Sequence, residues 1–192
     1  MPVQRADARR NYVRLLEVAA QVVARDGADA SMEEIARLAG VGSGTVRRHF
    51  PSRPALLTAV FAERVDGLCQ QAGHLAEADD ARAALLDWLR EVNRSAATFR
   101  GLAAALVRET SLAEVERAHC ASARLTTAGE PLVRRAAQAG ALDPAASIGD
   151  LLALVTGISL ATEHHPDQKE ESARLLELAV RGISPTMARK RS

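Results

Sequence analysis

Residues 31–50, SMEEIARLAGVGSGTVRRHF, constrain the fold of this 192-residue chain more than any other stretch, because the order of residue types serves one mechanical purpose. Ser31 and Glu34 make an S-x-x-E capping box, in which side chains satisfy backbone donors left open at a helix start, so a helix is expected from Met32 to Ala39. Gly40 and Gly42 then stop it. Gly40 stands where a left-handed residue ends a helix without a Cβ penalty, and Val41 is placed to fill the angle between two short helices. Ser43 is expected to cap the second helix, Gly44 to Phe50, which puts Val46 and Phe50 on one face and spreads Thr45, Arg47, Arg48 and His49 over the rest. A helix-turn-helix with an apolar inner edge and a basic outer edge is what a helix lying in a DNA major groove requires.

The remainder of the chain suits a helical protein of one or two domains. Hydrophobic residues make up 47% and charged residues 26%, enough for a sizeable core, but aromatics are only 3%, so that core must be built from Ala, Leu and Val. No stretch alternates as a strand would, and the fold class expected is all-α with about nine helices. The formal charge of +1 conceals an asymmetry: residues 1–64 carry 10 Arg against 7 acidic residues, a net of +3, whereas residues 65–192 are net −2. The basic end is the helix-turn-helix end, as phosphate contact demands. Cys69 and Cys120 are isolated, without C-x-x-C spacing, and are expected to be free thiols. No apolar run is long enough to span a bilayer and none opens the chain, so the expected location is the cytoplasm.

Taken in order, residues 1–10 read as a flexible polar arm carrying Arg5, Arg9 and Arg10, either a minor-groove contact or a solvated tail. Leu15, Leu16, Ala19, Val22 and Val23 mark an amphipathic helix over Asn11–Asp26, ended by Gly27. After Phe50, Pro51-Ser52-Arg53-Pro54 ends one helix and begins another, with Ser52 as its cap and Leu56, Leu57, Val60, Phe61, Val65 and Leu68 along one side as far as about Ala72.

At this point VGSGTVRRHFPSRPALLTAVF, with the helix before it, resembles the N-terminal DNA-binding domain of the TetR/AcrR family of transcriptional regulators. The resemblance covers roughly the first third of the chain and places a DNA-binding domain over 11–64. It implies that Ser31, Ser43, Gly44, Thr45, Arg47, Arg48, His49 and Arg53 are DNA-binding: Ser43, Gly44 and Thr45 at the entry of the recognition helix, His49 and Arg53 at phosphate positions, Ser31 anchoring the second helix to the backbone. Arg48 is expected at a phosphate as well. Arg47 departs from the family pattern, which has Tyr there. An Arg can fork onto guanine O6 and N7, so a G·C pair is expected in each operator half-site; the alternative is a phosphate contact.

Residues 65–184 are expected to form an effector-binding and dimerisation domain, and residues 185–192 a disordered basic tail. Helices are predicted over Asp79–Ala97, near Gly101–Arg108, from a Ser111/Glu114 box to Gln138 with a disturbance at Gly129-Glu130-Pro131, over Ala145–Glu163, and from Asp167 to about Gly182. The C-terminal pattern also resembles the SbtR-like group of the family. The resemblance implies a small-molecule pocket among Leu68, Trp88, Val92, Leu102, Leu106 and His119. The penultimate helix is apolar nearly all round and must be covered on more than one side, so a C2 homodimer is expected through Leu151, Leu152, Val155, Ile158, Leu175 and Leu178.

Catalytic and metal chemistry find little footing. Glu163, His164, His165 and Asp167 lack a metal-ligand spacing, and His119 and Cys120, being consecutive, face apart on a helix. No cofactor, metal or catalytic residue is expected. The function expected is a sequence-specific regulator of transcription, binding a double-stranded operator as a homodimer and released by an unknown small-molecule effector, without membrane association. The alternatives are an activator or a ligand-independent regulator and, from another class, a helical enzyme or metal-binding protein.

Overall fold

The structure, a computed structural model, describes residues 2–98 and 112–183, and the side chains of residues 11–27, 29–98 and 121–182. Eight α-helices follow one another there: α1 (Pro2–Asp26), α2 (Met32–Ala39), α3 (Ser43–His49), α4 (Arg53–Leu75), α5 (Ala81–Thr98), α6 (Leu112–Gln138), α7 (Ile148–Ala161) and α8 (Gln168–Ile183), with a single 3-10 turn, Gly27–Asp29, between α1 and α2. No strand occurs among the described residues. The helix expected over Gly101–Arg108 and the Ser111 cap lie outside them.

Several boundaries differ from expectation for local reasons. Helix α1 begins at Pro2 rather than near Asn11, so the backbone of residues 2–10 continues the helix. Proline suits a first helical position, and Gln, Ala and Arg beyond it favour the helical state. Helix α5 starts at Ala81, where the Asp80 carboxylate accepts the Ala83 N–H at 2.9 Å. Helix α6 runs unbroken through Gly129-Glu130-Pro131, where a disturbance was expected. Helix α7 is shorter at its start than predicted because Ser147 and Asp150 form a full capping box, each side chain bonded to the other's backbone N–H. That S-x-x-D signal stands in the sequence.

Contacts divide the chain into two units, the first holding the described residues up to Arg64 with Thr98 and residues 112–118, the second Val65–Ala97 and the described residues from His119 on. In the first, Leu15, Ala19, Val22 and Val23 of α1 meet Ile35 and Ala39 of α2, Val46 of α3, Phe50, and Leu56 and Val60 of α4. Each large side chain so buried contributes about 1.5–3 kcal/mol. Helix α2 is amphipathic, and its end is a Schellman motif: Gly40 adopts φ 68°, its N–H bonds the Arg37 carbonyl, and the Val41 N–H bonds the Ala36 carbonyl.

The second unit is centred on Trp88, which is fully buried and donates its indole N–H to the Leu68 carbonyl at 2.9 Å. Gly129 of α6 lies directly against the Trp88 ring and Ile148. A buried polar contact joins α5 to α8, the Ser172 hydroxyl donating to the side-chain amide oxygen Oδ1 of Asn93 at 2.9 Å. Arg90 spans the same pair of helices, bonding Glu177 at 2.8 Å and Asp87 at 2.9 Å. Arg135 of α6 donates to the carbonyls of Leu75, the last residue of α4, and of Ala76 and Ala78 in the turn after it, adding to the backbone bonds that close this helix end. Cys69 is a half-buried free thiol that donates to the Arg124 carbonyl, and burial pushes its pKa up.

Candidate nucleic-acid interface

The site is built on α3 and on the start of α2. Val46 and Phe50 are 1% and 2% exposed and fasten α3 to the first core. Ser43, Gly44, Arg47, Arg48 and His49 are exposed, and Thr45 is half-buried between the two faces. Helix α3 starts one residue earlier than predicted, so Ser43 is not its cap. Gly42 holds that position without a side-chain bond, and its carbonyl accepts from Thr45 and Val46.

The Ser31 cap is present in only one direction. Its hydroxyl accepts the Glu34 N–H at 3.3 Å, but the Glu34 carboxylate turns away to Arg25 at 2.8 Å and Arg37 at 3.5 Å instead of returning to the Ser31 backbone. Two arginines offer a stronger attraction than one amide, and the expected reciprocal box gives way to them. The Ser31 hydroxyl donates instead to Glu33, whose other carboxylate oxygen stands 3.6 Å from Arg47. The Glu33 backbone N–H, the Ser31 hydroxyl and the nearby Arg47 charge hold the Glu33 carboxyl below its ordinary pKa.

Arg53 folds back onto the connection between α1 and α2, 3.3 Å from the Asp29 carbonyl and 3.7 Å from its carboxylate. The ring of Tyr12, from α1, lies 5.5 Å from that of His49 and 5.7 Å from that of Phe50, within the range of favourable aromatic contact. Tyr12 and Glu33 were not singled out in the sequence. Tyr12 extends the 12-15-16-19 spacing of the apolar face of α1, which is the signal that could have found it; Glu33 carries no local signal.

The structure therefore brings the eight DNA-binding candidates into one unit, at the cap of α2, on α3 and at the first turn of α4. The pocket candidates fare differently. Leu68, Trp88 and Val92 are packed core at 3%, 0% and 7% exposure, and the Trp88 indole N–H, expected to orient a ligand, is already bonded. Leu102, Leu106 and the His119 side chain lie outside the described residues. A small cleft of about 30 Å³ opens elsewhere in the second unit, among Leu85, Leu86, Leu89, Leu151, Leu154 and Val155, with Arg82 at its edge. Of the residues expected between subunits, Leu151, Val155 and Ile158 are already buried within one chain, Leu152 and Leu175 are half-buried, and Leu178 is 49% exposed. His164 and His165 are exposed, and His165 accepts the Asp167 N–H. No helix among the described residues is long and apolar enough to cross a membrane.

Comparison with known proteins agrees with this geometry. Residues 15–60 match the description "Bacterial regulatory proteins, tetR family", and residues 80–185 match "Transcriptional regulator SbtR-like, C-terminal domain". A TetR transcriptional regulator from Streptomyces coelicolor is 34% identical, with a TM-score of 0.73 over 90% of this chain and 98% of its own. A TetR transcription regulatory protein from Mycobacterium vanbaalenii is also 34% identical, with a TM-score of 0.71 over 94% of this chain and 99% of its own. The fold is further shared with FadR from Bacillus subtilis, solved in complex with stearoyl-CoA, at 18% identity and a TM-score of 0.62 over 90% and 99% of the two chains. With an extensive C-terminal match and two such relatives, the chain belongs to the TetR family of bacterial transcriptional regulators.

Proposed function

We propose that the protein is a cytoplasmic, homodimeric repressor whose α3 helices enter successive major grooves of a near-palindromic operator and are released by a small-molecule effector. The observation that carries this reading is the two-sidedness of α3: Val46 and Phe50 are locked into the core while Ser43, Gly44, Arg47, Arg48 and His49 face outward. The half-sites would stand about 34–36 Å apart, or a multiple of that. Arg47 reads a guanine, and Arg48, His49 and Arg53 meet phosphates, Arg53 leaving Asp29 to do so.

A dimer is favoured by apolar surface left open on the last two helices, where Leu160 is 65% and Leu178 49% exposed. Leu152 and Leu175, on the same two helices, are half-buried, so these four, rather than the buried Leu151, Val155 and Ile158, are the residues proposed to meet a partner. Effector binding is favoured by family membership and by the apolar cleft beside Arg82.

Mobility-shift titration with the DNA upstream of the protein's own gene tests the reading. Specific, salt-sensitive binding is expected, and an Arg47→Ala, Thr45→Ala double variant is expected to lose it. Equal affinity for operator and unrelated DNA would refute it. An effector that lowers operator affinity must bind more weakly when operator is present, by the same factor, and absence of that reciprocity would remove the release mechanism.

A further inference from the structure

We infer that Glu33 is a positioning residue for Arg47: its carboxylate, anchored to the start of α2, holds the guanidinium so that its free edge can read a guanine. This rests on the proposal that Arg47 contacts a base. An arginine is a poor reader when unrestrained, because it carries about 2 kcal/mol of rotamer entropy that must be lost before its fork can lie in the plane of a base. A fixed carboxylate on one side of it removes part of that loss in advance.

Glu33 is placed to do this. Its Oε2 accepts the Ser31 hydroxyl at 3.3 Å, and its Oε1 lies 3.6 Å from Arg47 Nη2 in an exposed ion pair. Ser31 is itself fixed, since its hydroxyl oxygen accepts the Glu34 N–H. A continuous path of polar contacts thus leads from the backbone of α2 to a side chain of α3. The contact with Glu33 involves Nη2, whose two N–H groups belong to different edges of the guanidinium, so one edge, Nε with Nη2 or Nη1 with Nη2, remains as a fork for O6 and N7.

The competing account makes Glu33 a plain negative charge beside DNA, which would weaken binding to every sequence alike. The two accounts part on base discrimination. A high-affinity duplex is first selected from a random pool, and the guanine whose replacement by adenine costs most, and whose cost is lost in Arg47→Ala, is located. Fluorescence anisotropy at fixed salt then gives Kd for that duplex, its guanine-to-adenine version and an unrelated duplex, with wild type, Glu33→Gln, Arg47→Ala and the double variant.

Glu33→Gln is expected to lower the guanine-over-adenine ratio at least about threefold while leaving Kd for unrelated DNA unchanged or tighter, the latter also showing that the variant is folded. In the Arg47→Ala background, Glu33→Gln is expected to leave the ratio unmoved. If Glu33→Gln tightens all three duplexes equally, Glu33 is only a repelling charge and the inference is overturned. If no guanine depends on Arg47, the underlying reading of Arg47 fails, a result distinguishable from the first.

Discussion

Gly129→Ala should destabilise the protein, although alanine is the better helix former and Gly129 lies inside α6. A Cβ at this position would stand 2.6 Å from Ile148 Cδ1 and 2.7 Å from both Cη2 and Cζ3 of Trp88. Carbon atoms in contact rest at about 3.5–4.0 Å, so a displacement of about 1 Å is required. The ring has little room to give it, being fully buried and tied to the Leu68 carbonyl. Overpacking of this kind costs about 2–3 kcal/mol, the upper part of its usual range, against a propensity gain of about 1 kcal/mol. The net loss is about 1–2 kcal/mol, a fall in Tm of about 2–8 °C for a chain of this size. Gly67 and Gly73 on α4 serve as controls, since a Cβ at either meets nothing within 4 Å, and both alanine variants should gain stability. Thermal unfolding followed by far-UV circular dichroism gives the sign. Trp88 is the chain's one tryptophan, so its fluorescence reports whether the strain falls where expected. Should Gly129→Ala raise Tm as the controls do, the packing argument fails.

Gly40→Ala forces a side chain into φ 68° and should cost about 1–2 kcal/mol, whereas Gly42→Ala, at φ −69°, should cost less than about 0.5 kcal/mol; chemical denaturation of both variants checks the contrast. Arg135→Met removes the donors to the end of α4 and should cost about 1.5–3 kcal/mol, and a Tm equal to wild type would mean that water replaces them without loss. Leu160→Glu with Leu178→Glu should shift the protein to monomers in sedimentation velocity while leaving its helicity intact; an unchanged mass would exclude this face as the dimer contact. Lowered carboxyl pKa values at Asp26 beside Arg25, Asp150 bonded to Ser147, Glu171 beside Arg174 and Glu177 beside Arg90 contribute stability that is present above the ordinary carboxylate pKa of about 4 and is lost as pH falls through the folded values. Tm should therefore hold level from pH 7 to 5 and decline below about 4, and a decline already complete at pH 5 would contradict that assignment.

The helix-turn-helix was legible because its determinants are local: a capping serine, a left-handed glycine and an apolar pair four residues apart all act within twenty positions. The bounds of α2 followed from them without adjustment. What could not be read were contacts chosen by the tertiary fold. Nothing near Glu34 reveals that Arg25, nine residues earlier, will draw its carboxylate away from the cap. Nothing near Trp88 distinguishes a pocket residue from one whose indole N–H is met by the Leu68 carbonyl, since both demand the same large apolar side chain on the same face. Ser147 and Asp150 are the opposite case, a local signal as plain as Ser31 with Glu34 and more completely realised.

The contacts of Arg135 also bear on how the chain acquires its structure as it is made. They reach back 57 to 60 positions to the carbonyls they cover. The principal core of the first unit draws on residues 15–60 and can assemble early on the ribosome. The carbonyls of Ala76 and Ala78, in the turn after α4, by contrast wait for Arg135, and Leu176 of the second core follows later still. A nascent chain of about a hundred residues would thus carry the assembled core of the helix-turn-helix on a helix whose closing turn still lacks its arginine, and arrival of that side chain would mark the passage of the ribosome beyond α6.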